Sequence, residues 1–192
     1  APRNVQEVQS VVKFCYDNEI RIVPQGARTG LVGGTVPSEK DAANTIILTT
    51  ERLHSAPEYN PADGRIIVDA GFTLSEVNEF LKPFGVMVAI DVSSDPRVGG
   101  MAATNIAGSR VSHYGDFRDM CIGVQIVFAD LNATVNDTRN RPIKDNSDFN
   151  FTGLFVGSFG TLGIITSVAL QVYPIIEKTA TSWIPVEAGA DL

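Results

Sequence analysis

The sequence has few residues of the kinds that bind transition metals or form disulfides. Its 192 residues include two cysteines, Cys15 and Cys121, and two histidines, His54 and His113. The cysteines lie far apart with no CxxC spacing, so we interpret them as free, buried thiols in a reducing compartment. The HExxH motif is absent, and the two histidines are isolated. The sequence therefore predicts no metal site.

Positive charge and long apolar segments are also scarce. Lys and Arg total 15 against 22 Asp and Glu, which gives a net charge of −7 at pH 7. Because binding to nucleic acid or to anionic lipid needs a basic face, we predict neither partner. No apolar run approaches the ~20 residues that cross a bilayer, and the first residues, APRNVQEVQS, show no signal-peptide pattern. We therefore predict no transmembrane segment and a cytoplasmic location.

Glycine is abundant, and it is concentrated in three clusters at 26–34, 99–108 and 153–163. The first lies in PQGARTGLVGG, directly after a short apolar run. Glycine lets backbone N–H groups approach a ligand closely, and consecutive N–H groups in a turn favour phosphate. None of the clusters has the lysine of a Walker loop, and neither GxGxxG nor GxSxG occurs. We interpret the clusters as parts of one site for a nucleotide cofactor with a central diphosphate.

Hydrophobic periodicity predicts a chain of mixed helices and strands. Apolar spacing and the cap residues Asn4 and Thr73, each with a glutamate three residues later, predict helices over 4–18 and 73–81. Residues 51–64, 91–100 and 136–150 are predicted as connecting loops. The predicted strands cover 20–23, 45–48, 65–70, 123–130, about 134–135 and 164–173.

The order of these elements bears on the type of nucleotide site. The first glycine cluster follows a helix and a strand, whereas the common dinucleotide fold places strand, glycine loop and helix in that order. Gly99 and Gly100 stand just before a helix start, where free N–H groups and the positive end of a helix dipole would meet. We therefore expect backbone donors from several loops to hold the cofactor.

Three segments together resemble the FAD-binding domain of the FAD-linked oxidase family, which has the vanillyl-alcohol oxidase-type flavin fold. They are PQGARTGLVGG, DVSSDPRVGGMAATNIAGSRVSHYGDFRDMCIGVQIVFAD and LFVGSFGTLGIITSVALQVYP. The resemblance runs from about residue 2 to 178, and within the family it points to the branch of the glycolate oxidase subunit, D-lactate dehydrogenase and D-2-hydroxyglutarate dehydrogenase. It implies an α+β domain of two lobes, about 1–50 and 51–178, with FAD between them.

The resemblance also implies roles for individual segments. Residues 25–30 would wrap the diphosphate, 91–100 would line the diphosphate and flavin, 103–109 would lie near the isoalloxazine, and 160–165 would hold ribose and adenine. The family's GSEGTLG motif has Phe159 in place of glutamate here, and Ser109 replaces a glycine of its NAGG motif. The implied cofactor-binding residues are Gln25, Gly26, Ala27, Arg28, Thr29, Gly30, Asp91, Ser93, Ser94, Gly99, Gly100, Ala103, Thr104, Gly108, Ser109, Gly160, Gly163, Ile164 and Ile165.

The chemistry implied by the resemblance is oxidation of a D-2-hydroxy acid, glycolate, D-lactate or similar, by hydride transfer to flavin N5. Relatives with covalent FAD carry histidine in the first glycine loop, which here has neither histidine nor cysteine, so non-covalent FAD is expected. Catalytic residues are expected mainly in a C-terminal substrate domain, of which residues 179–192 would be the truncated start. Within this chain the weak candidates are Arg110, His113 and Tyr114.

Two other interpretations stay open at this point. The chain could be a stand-alone flavin- or nucleotide-binding module that serves a partner subunit, without catalysis of its own. It could also belong to an FAD-linked oxidase of different alcohol specificity. The electron acceptor, and the choice between a homodimer and a partner subunit, are likewise open.

Overall fold

The computed structural model describes residues 1–142, 147 and 149–183. Short 3-10 turns cover Ala42–Asn44 and Lys82–Phe84. The helices are α1 (Val5–Asp17), α2 (Leu74–Leu81), α3 (Val98–Thr104), α4 (Val111–Tyr114), α5 (Phe117–Met120) and α6 (Thr152–Phe155). The strands are β1 (Arg21–Gln25), β2 (Thr45–Thr49), β3 (Glu58–Asn60), β4 (Arg65–Asp69), β5 (Val86–Met87), β6 (Cys121–Val127), β7 (Val135–Asp137), β8 (Ile164–Gln171) and β9 (Tyr173–Pro174).

The first 50 residues form α1 and a parallel pair of strands, β1 and β2. The predicted cap is confirmed, since the Asn4 side chain accepts a hydrogen bond from the Glu7 N–H at 2.8 Å. A capping box would have the Glu7 carboxylate accept from the N–H of Asn4. It accepts instead from the N–H of Arg3, one residue earlier. The apolar face of α1 buries Val8 and Val12, which pack with residues of β2, β6 and β8. Burial of this face therefore joins the parallel pair to the rest of the molecule.

A five-stranded antiparallel sheet with the order β3-β4-β8-β6-β7 forms the centre of the second part. β8 lies in the middle, and its residues 164–170 are all buried because both faces of the sheet are covered. A β-bulge at Thr166, opposite Gln125, shifts the alternation of side chains by one residue. As a result, Ile165 and Val168 both face the larger core cluster, whereas Ile164 packs toward α1.

The cap of α2 follows the predicted pattern completely. The Thr73 side chain accepts from the Glu76 N–H, and the Glu76 carboxylate accepts from the Thr73 N–H at 2.8 Å. This bond to Thr73, with a smaller contribution from His54, lowers the pKa of Glu76 against the opposing effect of burial. Two reciprocal bonds satisfy donors that the first turn would otherwise leave unpaired, so α2 begins where the sequence indicates.

Some predicted boundaries are wrong, for reasons that involve distant parts of the chain. The sequence predicts a loop over 91–100, but α3 already begins at Val98, whose N–H donates to Phe72 O at 2.8 Å. The predicted connector 51–64 contains β3, which pairs with β4. The predicted loop 136–150 begins within β7, and its residues 143–146 and 148 lie outside the described residues. The short elements α4, α5, α6, β5 and β9 carry no periodic signal long enough to predict them.

Within residues 1–142, 147 and 149–183, none of the helices combines the length and the hydropathy of a bilayer-spanning segment.

Both cysteines are free, as predicted, but they differ in burial. Cys15 is fully buried on α1, whereas Cys121 is half-buried as a residue. Burial raises the pKa of the Cys15 thiol, and it raises the pKa of the Cys121 thiol to about 12, with a smaller opposing effect from a hydrogen bond with the Gly123 backbone. Since the thiolate is the reactive form, we expect both thiols to react slowly in the folded protein.

We expect native protein at pH 8 to react very slowly with a chromogenic disulfide reagent, and unfolded protein to release two equivalents quickly. The single variants Cys15→Ser and Cys121→Ser serve as controls that assign each thiol. Rapid modification of either cysteine in the folded state would contradict the burial that raises its pKa.

Candidate cofactor-binding site

The three glycine clusters meet at a cleft between the parallel strand pair and the larger sheet. A small junction cavity of about 80 Å³ is lined by Gly26 of the first cluster, Gly100 of the second and Gly160 of the third. A loop cavity of about 440 Å³, lined by residues of 26–32, 94–97 and 100–107, shares Gly26, Gly100 and Phe159 with it. A strand cavity of about 480 Å³ lies beside α1 and β1 and shares Gly160 and Gly163. The three cavities therefore adjoin along one elongated cleft.

The first glycine loop presents a run of unpaired backbone donors to this cleft. Among the hydrogen bonds of the described residues, none is donated by a backbone N–H of residues 26–30. Arg28 adopts a left-handed conformation, with φ of 62°, in the middle of the run. The Gln25 side chain closes the loop by donating to Thr35 O at 3.2 Å, and Gln25 O accepts from the Thr50 N–H. Consecutive unpaired N–H groups in such a turn form a concavity suited to an anion.

The two glycines at the start of α3 have different roles. The Gly99 N–H donates to Ala70 O at 3.0 Å, so the expectation that Gly99 offers a free donor is wrong. A Cβ on Gly99 would lie 2.7 Å from the Ala70 Cβ, so glycine is needed there for close packing on β4. Gly100 has no protein acceptor for its N–H among the described residues, and a Cβ there would meet no atom within 4 Å. Gly100 thus faces the cleft, whereas Gly99 faces the core.

The third glycine loop is fastened to α3 by backbone hydrogen bonds. The N–H groups of Gly157 and Phe159 donate to Ala102 O at 2.9 Å and Ala103 O at 2.7 Å. Phe159 has a positive φ of 55° and lines both the junction and the loop cavities. Where the resemblance leads one to expect a carboxylate, the cleft therefore has an aromatic wall.

Asn105 supports this arrangement at the C-terminal end of α3. It adopts the left-handed conformation, accepts from the Arg118 N–H at 2.8 Å and donates to Asp116 Oδ2 at 2.7 Å. The Arg118 guanidinium in turn donates to Val156 O at 2.6 Å, next to Gly157. This chain of contacts fixes the third glycine loop relative to α3.

The charge of the cleft is opposite to the charge of the chain. Among the described residues, Arg28 and Arg97 are the only charged ones that line the junction and loop cavities, and no carboxylate does so. The Arg97 guanidinium donates to Gly71 O, whereas Arg28 is exposed. A protein with a net charge of −7 thus presents two cations and unpaired N–H groups at one place, which favours an anionic ligand.

Most of the residues predicted for the cofactor line this cleft. They are Gln25, Gly26, Ala27, Arg28, Thr29, Gly30, Ser94, Gly99, Gly100, Ala103, Thr104, Gly160, Gly163, Ile164 and Ile165. Asp91, Ser93, Gly108 and Ser109 line none of the three cavities. Ser109 donates from Oγ to Asp91 Oδ2 at 2.8 Å, and a Cβ on Gly108 would collide with the Asp91 backbone. These residues tie the segment before α3 to the segment after it.

The candidates for substrate contact lie away from the three cavities. Arg110 lines a separate pocket of about 360 Å³, with Nε 3.7 Å from Asp91 Oδ2. His113 is exposed and meets the Tyr114 ring edge-on, with centroids 4.5 Å apart. Tyr114 packs on Tyr173 at 4.8 Å. Each therefore has a structural partner within the chain, and a role toward substrate stays a prediction.

Several residues of the cleft were not predicted, among them Thr35, Arg97 and Asn105. Arg97 had a usable signal, because it is a cation two residues before a Gly-Gly pair in an acidic chain. The other two line the cleft through contacts that no local pattern encodes. Among the described residues, no group of three or more His, Cys, Asp or Glu side chains could hold a metal ion.

An α+β domain in which three glycine loops converge on a cleft with unpaired N–H groups and cations is a nucleotide-cofactor-binding domain. The family described as "FAD binding domain" matches residues 1–131, so the chain belongs to this family. The resemblance found in the sequence is thereby confirmed.

Named relatives and solved structures agree with this assignment. The chain is 33% identical over 175 residues to "D-2-hydroxyglutarate dehydrogenase, mitochondrial" of Bos taurus, covering 90% of this chain and 31% of the relative. It is 32% identical over 184 residues to "Probable D-lactate dehydrogenase, mitochondrial" of Danio rerio, covering 94% and 36%. A structure of alkyldihydroxyacetonephosphate synthase matches with a TM-score of 0.80 at 23% identity, covering 92% of this chain and 31% of that chain, and shows the fold alone. The chain spans about a third of the length of the curated relatives it matches.

The residues present fit FAD. The unpaired N–H groups of residues 26–30 and the two cations suit a diphosphate. The strand and loop cavities extend to either side of the junction, so an elongated dinucleotide has room at both ends. Gly100 has no side chain and leaves the junction between the two cavities open.

The adjacent glycines of α3 give a direct test of this site. We expect Gly100→Ala to leave the melting temperature of the apoprotein nearly unchanged and to lower FAD affinity about tenfold, because its methyl group enters the cleft. Gly99→Ala should instead lower the melting temperature, because its methyl group collides with Ala70. Thermal unfolding and flavin fluorescence titration measure the two effects. Equal effects of both variants on stability and affinity would contradict the separate roles.

Proposed function

We propose that this chain is the FAD-binding part of a flavin-dependent dehydrogenase that oxidises a D-2-hydroxy acid. The observation that carries this proposal is the convergence of three glycine loops, with unpaired donors and cations, on one elongated cleft. The names of the relatives, which are dehydrogenases of D-2-hydroxyglutarate and D-lactate, support the substrate class. When bound, FAD supplies a two-electron acceptor at N5 of its flavin ring.

In this proposal the chain holds and orients the cofactor between two lobes, about 1–50 and 51–178. The N–H groups of residues 26–30 and of Gly100 donate to the diphosphate. Ala103 and Thr104 lie beside the isoalloxazine, and residues 160–165 beside ribose and adenine. Asp91, Ser93, Gly108 and Ser109 shape the segments that flank α3. Phe159 excludes water where the junction and loop cavities meet.

We further propose that the attachment of FAD is non-covalent. A covalent bond to flavin needs a nucleophilic side chain at the ring, and within the described part of the chain no His, Cys or Tyr lines the junction or loop cavity. Cys15 lines only the strand cavity, and burial raises the pKa of its thiol, so it is a weak nucleophile there.

Acid precipitation of the purified flavoprotein tests the mode of attachment. All of the yellow cofactor should remain in the supernatant and behave as free FAD in chromatography. A relative with covalently bound flavin, treated in parallel, supplies the control. Flavin that stays with the precipitated polypeptide after washing would refute non-covalent binding.

Oxidation of a 2-hydroxy acid also needs a base for the hydroxyl proton and a cation for the carboxylate. We place these groups mainly outside residues 1–178, in a substrate domain that would begin at 179–192; residues 184–192 lie outside the described residues. Arg110, His113 and Tyr114 remain candidates for a contribution from this chain. The cytoplasmic location also stays a prediction, since relatives named above are mitochondrial.

Anaerobic titration of the full-length gene product tests the substrate class. D-lactate, D-2-hydroxyglutarate and glycolate are added in turn, and at least one should bleach the visible absorbance of the oxidised flavin. The L-enantiomers of the two chiral acids are the matched controls and should leave it unchanged. If dithionite reduces the bound flavin but none of the three acids does, the proposed substrate class is wrong.

A further inference from the structure

We propose that Arg97 is a further cofactor-binding residue, whose guanidinium pairs with the diphosphate that lies on the first glycine loop. This inference rests on the proposed FAD site and adds to it a side chain outside the glycine motifs. Arg97 precedes α3 and makes no side-chain cap bond to that helix. Its side chain is therefore not needed to begin α3 and is available for another role.

The position of Arg97 places it against the loop that carries the unpaired donors. It lines the loop cavity together with residues 26–30 and Ser94. Its Cβ lies 3.5 Å from the point that a Cβ on Gly26 would occupy. Gly26 is the first residue of the unpaired N–H run, so the Arg97 side chain starts beside those donors and lines the same cavity.

The guanidinium is held by one hydrogen bond and keeps further donors. It donates to Gly71 O at the turn between β4 and α2. A guanidinium has five N–H donors, and the described residues provide no other acceptor for those of Arg97. A cation held at one point, with donors still unpaired, is suited to phosphate oxygens.

Among the described residues Arg97 also lacks a counter-ion, unlike four other arginines of this chain. Arg21, Arg65, Arg110 and Arg139 each lie within ion-pair distance of an aspartate. Among the described residues, no carboxylate lies within that distance of Arg97, although it is only partly exposed. A partly buried cation without a counter-ion is costly, and an anionic ligand in the same cavity lowers that cost.

The other cation of the loop cavity, Arg28, is less suited to this role. Arg28 is exposed, so solvent and salt screen its interaction with a ligand, whereas the half-buried Arg97 is screened less. Arg97 is also restrained by its bond to Gly71 O, so it loses less side-chain freedom on binding. We therefore expect Arg97 to contribute more to cofactor affinity than Arg28.

The test compares Arg97→Gln, Arg97→Lys and the control Arg3→Gln, which removes the same charge at an exposed site outside the cleft. Dissociation constants for FAD, ADP and adenosine are measured at low and high salt. Arg97→Gln should weaken the binding of FAD and of ADP at least tenfold and reduce the salt dependence of both affinities. Its affinity for adenosine should be unchanged. Arg97→Lys should recover part of the loss, and Arg3→Gln should match the unmodified protein.

Thermal unfolding of the apoprotein separates ligand binding from a structural role. Arg97→Gln removes a cation that has no counter-ion among the described residues and keeps a side-chain amide that can donate to Gly71 O, so its melting temperature should stay unchanged or rise. If Arg97→Gln binds ADP like the unmodified protein with the same salt dependence, the role of Arg97 is refuted while the FAD site stands. If the unmodified protein binds neither FAD nor ADP, the proposed function and this inference both fail.

Discussion

The whole cleft depends on how α3 is docked by backbone hydrogen bonds at both of its ends. Val98 and Gly99 donate to carbonyls in the turn after β4, and the carbonyls of Ala102 and Ala103 accept from the third glycine loop. This docking needs the absence of a side chain at Gly99, because Ala70 lies directly against it. A seven-residue helix would be marginal alone, and here its neighbours determine both its start and its orientation. Once α3 is fixed, Gly100 and Thr104 have to face the cleft.

The cleft offers a locally positive environment in a protein whose net charge is negative. A net charge of −7 would repel a diphosphate, but the local environment is set by backbone N–H groups, Arg28 and Arg97. Partial charges fixed by the backbone need no titratable group, so their strength does not vary with pH. No carboxylate of the described residues lines the junction or loop cavity, and Phe159 occupies the position of the glutamate in the family's third motif.

Cofactor binding and substrate chemistry are separable in this fold. The described residues form a cleft that fits a dinucleotide, yet Arg110, His113 and Tyr114 lie outside it, each in contact with other residues of the chain. The chain covers about a third of its curated relatives, which leaves most of their length for other tasks. The chemistry of the flavin belongs to the cofactor, so a domain of this kind can hold the flavin while other elements select the substrate.

The sequence by itself determined the features that depend on neighbours a few residues away. The caps at Asn4 and Thr73, the buried run of β8 and the three glycine clusters are local signals, and together with the resemblance they identified the FAD-binding family. Only the tertiary structure decided which N–H groups remain unpaired, because the acceptors for Val98 and Gly99 lie nearly thirty residues earlier. The bulge at Thr166 also depends on tertiary structure, because it arises from the pairing of β8 with β6. That no carboxylate among the described residues pairs with Arg97 also follows from tertiary packing, since the availability of a donor or a charge depends on every group that packs around it.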